Sequence, residues 1–184
     1  MDVFEAIYQR QSISKVKADP VPRGVIEQLL SAAVQAPNHH KVRPWRFIVL
    51  QGEARERLGE VMVNSLKASK PEIGDDDLNR ERLKPLRAPV LIAVAVDKPA
   101  IPKVQEIENV AAASAAIQNL RLTAHALGLG AIWRTGPTAT DQTIKAFLGL
   151  AADQHLIGFV YVGYPESAST PPARPTFEDR TVWM

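Results

Sequence analysis

The chain contains no cysteine. Disulfide bridges, thiolate nucleophiles and cysteine-based metal sites are thereby excluded. It also lacks a dominant sign of charge: 22 Lys and Arg against 20 Asp and Glu leave a net charge of +2, with the two signs interspersed. There is no basic stripe of the kind that nucleic-acid binders carry. No uninterrupted apolar run approaches the roughly 18 residues of a membrane span. Asp2 and Glu5 stand where a signal peptide would be basic and then apolar, so the expected localisation is cytoplasmic. Several signatures are missing as well: no GxxxxGK[ST] phosphate loop, no GxSxG elbow and no helical HExxH zinc motif. Adjacent His39 and His40 lie in a loop, which gives no metal site, and none is expected elsewhere.

What is present is ordinary globular material. A chain of 184 residues suits one domain that buries roughly 70% of its unfolded surface. Residues 2–10 read as a helix with Val3, Phe4 and Ile7 on one face. A second helix follows Pro22, with Ile26, Leu29, Leu30 and Ala33 at helical spacing, and stops near Gln35 because Pro37 disfavours helical geometry at Ala36. Trp45 to Leu50 reads as a strand and Glu53 to about Ala68 as a helix. Residues 70–87, with Pro71, Gly74 and Asp75-Asp76-Asp77, read as an exposed connection with room for one helical turn. Val90 to Val96 is an apolar run of strand length, which predicts a strand covered on both faces. The longest helix runs from about Glu106 to Leu127 and carries a stretch of alanines that lets another backbone approach closely. Gly128-Leu129-Gly130 ends it and Ala131 opens a strand. Thr140 is the expected cap of a short helix reaching Leu148. Leu156 to Val162 is the last strand, and a proline-rich tail follows.

Polar residues gather where these elements do not need them. The loop Ala36-Pro37-Asn38-His39-His40 to Trp45-Arg46-Phe47 holds hydrogen-bonding and aromatic side chains between two prolines, a composition more typical of sites than of connectors. Arg10-Gln11-Ser12 places a guanidinium, an amide and a hydroxyl at a helix exit. Such a set can grip a phosphate, or the arginine can simply complement the helix dipole. Trp133-Arg134-Thr135-Gly136 at a strand end permits close approach of a flat ligand; it also fits a core tryptophan followed by a turn. Gly128-Leu129-Gly130 follows a helix and opens a strand, the reverse of a dinucleotide loop, and so reads as a helix terminator. The acidic run at 75–77 reads as a solvated face.

Taken in order, Arg10-Gln11-Ser12, Ala36-Pro37-Asn38-His39 with Arg43-Pro44-Trp45-Arg46-Phe47, Gly128 through Gly136, and Val162-Gly163-Tyr164-Pro165 resemble the nitroreductase family of FMN-dependent oxidoreductases, in particular its small NAD(P)H nitroreductases. The resemblance spans nearly the whole chain. It implies a single FMN-binding domain over residues 1–184, an α+β three-layer sandwich whose mostly antiparallel sheet is flanked by helices. It also implies an intimate homodimer with FMN sites at the interface and a domain-swapped C-terminal arm. By the resemblance, Arg10, Gln11 and Ser12 contact FMN, and Pro37, Asn38 and His39 approach it from the other subunit. Trp133, Arg134 and Thr135 line it, and Arg174 helps hold the phosphate. The implied activity is hydride transfer from NAD(P)H through flavin to nitroaromatic, quinone or similar acceptors by a ping-pong mechanism. The flavin carries the chemistry and no side chain acts as acid or base. Arg134 and Lys15 are both candidates for the cation beside reduced flavin. The chain departs from the family pattern at Gln11 and Ser14, where basic residues are common, and at Gln35, where some relatives carry arginine. A flavin-binding module without turnover and a cofactor-free interaction protein are the alternative readings.

Overall fold

The computed structural model describes residues 1–168 and 170–184. Its helices are α1 (Val3–Gln9), α2 (Arg23–Ala33), α3 (Glu53–Ser69), α4 (Asp75–Arg82), α5 (Glu106–Ala126), α6 (Pro137–Thr140) and α7 (Gln142–Phe147). Its strands are β1 (Trp45–Leu50), β2 (Val90–Val96), β3 (Gly130–Arg134) and β4 (His155–Gly163). They form one sheet in the order β1-β2-β4-β3, with every neighbouring pair antiparallel. The α+β class and the helix-flanked sheet expected from the sequence are both observed.

The apolar run of β2 explains the layering. All seven of its residues are buried, and they alternate between two cores, as period-2 side chains must. Val90, Ile92, Val94 and Val96 meet Ile26 and Leu29 of α2 and Ala113, Ala116, Ile117 and Leu120 of α5. Leu91, Ala93 and Ala95 meet Leu58 and Met62 of α3 and Ile144 of α7. The sheet is therefore the middle of three layers. The N-terminus of α5 is set by a capping box, in which the Gln105 backbone N–H donates to Glu108 Oε2 at 2.8 Å. It ends where Gly128 takes a φ of +75° and Leu129 N–H donates to the Ala124 carbonyl at 2.8 Å, a left-handed terminator.

Two local expectations are corrected. Residues 70–87 hold a two-turn helix, α4, followed by a short 3-10 turn at Lys84–Arg87, with Leu78 and Pro85 buried. One apolar residue in eight leaves no stripe to read. What stabilises α4 is three aspartates in its first turn and arginines in its last, both matched to the dipole, and its packing on α3. Thr140 does not cap α7. Asp141 does, its Oδ1 accepting from the N–H groups of Thr143 at 2.8 Å and Ile144 at 3.0 Å. Thr140 lies at the end of α6, its hydroxyl donating to the Pro137 carbonyl. Asp141→Ala should therefore cost about 1 kcal/mol of unfolding free energy, and Thr140→Ala less than about 0.5 kcal/mol. Urea unfolding of the two variants checks this, and the reverse ranking would refute the cap assignment.

Candidate functional site

Helix α1 delivers its exit residues to a crowded corner. The Arg10 N–H closes the last turn onto the Ala6 carbonyl at 3.0 Å, and its ψ of 130° turns the chain extended. The extended segment is then fixed at both ends. Ile13 N–H donates to the Ala131 carbonyl at 3.2 Å, Lys17 N–H donates to the Tyr164 carbonyl at 2.8 Å, and Val16 bridges Pro165. Two glycines make the approach possible. A Cβ at Gly130 would lie 2.7 Å from Ile13 Cγ2, and one at Gly163 would lie 2.9 Å from Val16 Cγ2. The first, third and fourth sequence motifs thus meet because hydrogen atoms stand where methyl groups would collide.

Arg10, Gln11, Ser12 and Arg174 come together in this corner. Arg10 is buried, its Nη1 has no hydrogen-bond partner, and its carbonyl accepts from Arg174 Nη2 at 2.7 Å. Burial, and then the charge of Arg174, lower the Arg10 pKa. Arg121 of α5, which sequence reasoning missed, joins them: its Nη2 donates to Ser12 Oγ at 2.8 Å. Burial, followed by the charges of Arg10 and Arg174, pushes its pKa down to about 10. Among the described residues none of these arginines is ion-paired. A cavity of about 530 Å³ opens here, lined by Arg10, Gln11, Arg121, His125 and Glu166 among others. A buried cation without a counter-charge is costly, and an orphaned guanidinium N–H beside a hydroxyl is the donor set that suits an oxyanion. The phosphate of FMN fits it chemically. The signal for Arg121 in the sequence is its place four residues after buried Ile117 and one after buried Leu120, as the one Lys or Arg in an alanine-rich helix.

Trp133, Arg134 and Thr135 line a different cavity, of about 740 Å³, walled by α3, α6 and the ends of β3 and β4. Trp133 Nε1 and Arg134 Nε are buried there without partners. The Arg134 guanidinium lies 5.9 Å from the centre of the Tyr161 ring, within cation–π range, and burial pushes the Tyr161 hydroxyl pKa up. Gly158, at φ +142°, gives this strand end its room, since a Cβ would stand 2.5 Å from the Arg134 carbonyl oxygen. Lys70, Lys84 and Arg87 also line the cavity, with Lys84 donating to Glu81. These residues, like Tyr161, were not singled out from sequence because nothing in a linear pattern joins positions 81–87 to 161. Lys15 is exposed and lines none of the cavities described here.

Pro37, Asn38 and His39 are placed elsewhere again. They line a third cavity, of about 350 Å³, against Glu108, Ala111, Ala112 and Ala115 of α5. Asn38 Oδ1 accepts from the Arg43 N–H at 2.9 Å, and His39 Nε2 lies 3.5 Å from Glu108 Oε1. His40, Lys41 and Arg43 all take φ near +50°. Three non-glycine residues held left-handed in one short loop represent stored strain of the kind found at ligand clamps. Within one chain the loop does not meet the other two cavities.

A helix-flanked antiparallel sheet with a buried arginine, not ion-paired, at the exit of its first helix defines an α+β protein with a cationic corner. A sequence model described as the nitroreductase family matches residues 7–164. The chain is 33% identical over 174 residues to the protein of Escherichia coli strain K12 named "Putative NAD(P)H nitroreductase YdjA", covering 92% of each. A nitroreductase-like family protein from Bacillus cereus superimposes with a TM-score of 0.85 at 26% identity, covering all of this chain and 96% of that one. The structure described as "a putative nitroreductase in complex with fmn" from Desulfovibrio desulfuricans superimposes with a TM-score of 0.76 at 27% identity, covering 97% of this chain and 94% of that one. The chain belongs to the nitroreductase family.

The glycine contact that assembles the corner can be tested alone. Gly130→Ala should cost about 1–3 kcal/mol of stability by overpacking. Ile13→Ala in the same chain should recover part of that cost, because the added methyl collides with Ile13 itself. A double-mutant cycle by chemical denaturation measures the coupling, and strict additivity would show that the contact is unimportant.

Proposed function

We propose that residues 1–184 form one domain that holds FMN between two copies of the chain and reduces nitroaromatic, quinone or similar acceptors at the expense of NAD(P)H. The observation that carries this reading is the buried, unpartnered Arg10 Nη1, in the cavity that Arg121 also lines, with Arg174 bonded to the Arg10 carbonyl. FMN, when bound, would supply the redox chemistry, a ping-pong transfer of hydride equivalents from NAD(P)H to the acceptor.

The residues of this chain do the positioning. Arg10 and Arg174 hold the phosphate with Ser12, and Gln11 lines the same cavity. Trp133, Arg134 and Thr135 wall the larger cavity, where the apolar side chains of Leu58, Met62 and Phe159 leave room for a flat ring. Arg134, rather than Lys15, is the cation that stabilises the reduced ring, since it lines that cavity and Lys15 does not. No side chain is assigned a proton to move; solvent supplies it.

Dimerisation completes the site. Val3, Phe4, Ile7 and Tyr8 of α1, with Ile107 of α5 and Phe177, Val182 and Trp183 of the tail, are all exposed in the single chain. Apolar side chains left exposed in such number favour burial against a partner surface. A second copy would bring Pro37, Asn38 and His39 to the flavin and receive the C-terminal tail as a swapped arm. Among the described residues no helix is long and apolar enough to cross a membrane, and we place the dimer in the cytoplasm.

An absorbance spectrum of the purified protein, followed by anaerobic NADH and NADPH, tests the reading. Flavin bands that bleach on addition are expected. Bands that persist would mark a binder without turnover, and protein that stays colourless after incubation with FMN would mark an interaction protein. Arg10→Ala should lose a charge-assisted contact of about 1.5–3 kcal/mol, or roughly 10–150-fold in FMN affinity. Unchanged FMN titration would remove Arg10 from the site.

A further inference from the structure

Arg121 is poorly explained as a structural residue. It sits on α5 between buried Ile117 and Ala124, where an apolar side chain would pack without cost. It donates to the Ser12 hydroxyl, a bond that an uncharged amide could also make. Instead a full positive charge is held half-buried beside Arg10 and Arg174, with its Nε enclosed and unpartnered. Glu166 lines the same cavity yet forms no ion pair with any of the three, and no other carboxylate among the described residues does so. One turn further along the same helix, His125 lines the same cavity and its Nε2 is likewise buried without a partner. Three polar atoms, Arg10 Nη1, Arg121 Nε and His125 Nε2, are therefore left unsatisfied around one space. Native proteins rarely leave such groups orphaned unless a ligand or an ion satisfies them.

Gln11, next to Arg10 in the chain, lines the same cavity and brings no charge to it. Resting on the FMN reading above, we propose that Arg121 is the third guanidinium of the phosphate site, supplied from α5. The phosphate of FMN is then held by Arg10, Arg121 and Arg174 together with Ser12. The chain consequently selects FMN over riboflavin, which has the same ring and no phosphate, and Arg121 is a determinant of that selectivity. Charge is what matters in this assignment, not the hydrogen bond to Ser12.

Arg121→Gln, Arg121→Met and Arg121→Lys separate these roles. Gln keeps a donor for Ser12, Met keeps only the packing of the stem, and Lys keeps the charge. FMN and riboflavin are titrated against each apo protein by flavin fluorescence. The Gln and Met variants should both lose roughly 10–100-fold in FMN affinity while riboflavin affinity stays within about twofold. The Lys variant should recover most of the FMN affinity. Wild-type FMN affinity in Arg121→Gln, or equal losses for both flavins in any variant that folds, overturns the assignment to Arg121 and leaves the FMN reading standing. A wild-type chain that binds neither flavin overturns both.

Discussion

The architecture of the site depends on one close approach. The extended segment after α1 lies against β3 and the end of β4 only because Gly130 and Gly163 present no Cβ to Ile13 and Val16. That contact, with the backbone bonds of Ile13 and Lys17, fixes where Arg10 and Ser12 end up. Arg121 then meets Ser12 from α5, and Arg174 reaches the Arg10 carbonyl from the tail. Residues from four parts of the chain converge through a single steric allowance.

The convergence gathers charge at the expense of the unliganded fold. Burial and mutual repulsion lower the pKa values of Arg10 and Arg121, a sign that the protonated forms are disfavoured in the folded chain. The rest of the molecule can bear this because the sheet is covered on both faces and β2 is buried throughout. Function-bearing strain is kept at the periphery, in the arginine corner and in the left-handed loop at His40, Lys41 and Arg43.

Much of the fold was legible before any coordinates. The boundaries of β1, β2 and α5 are strong periodic or continuous patterns, and they lie within a residue or so of their expected ends. Helix α4 was not legible, because aspartates matched to a dipole and one buried leucine leave no stripe. The cap of α7 was misread by one residue, since Thr140 and Asp141 are both acceptable caps and only the observed hydrogen bonds distinguish them. In the site, Arg10 and Ser12 stand in a sequence motif and Arg174 is named by the family resemblance alone; the fold brings Arg174 to the Arg10 carbonyl and Arg121 to Ser12. Arg121, His125, Lys84 and Tyr161 were not marked by motif, because each looks unremarkable beside its own neighbours.

Local order and composition settled the class: the absence of cysteine, the short apolar runs of the strands, the alanine-rich helix and four short motifs in sequence. These are properties of neighbouring residues, and short-range sterics and burial enforce them. The distances between the motifs were left open until the chain closed on itself. Whether Trp133 and Arg10 share a cavity, whether the Asn38 loop reaches either, and which arginines lie together depend on contacts across more than a hundred residues. Such contacts are decided by packing at Gly130 and Gly163, and that packing exists only once the sheet and α5 have assembled.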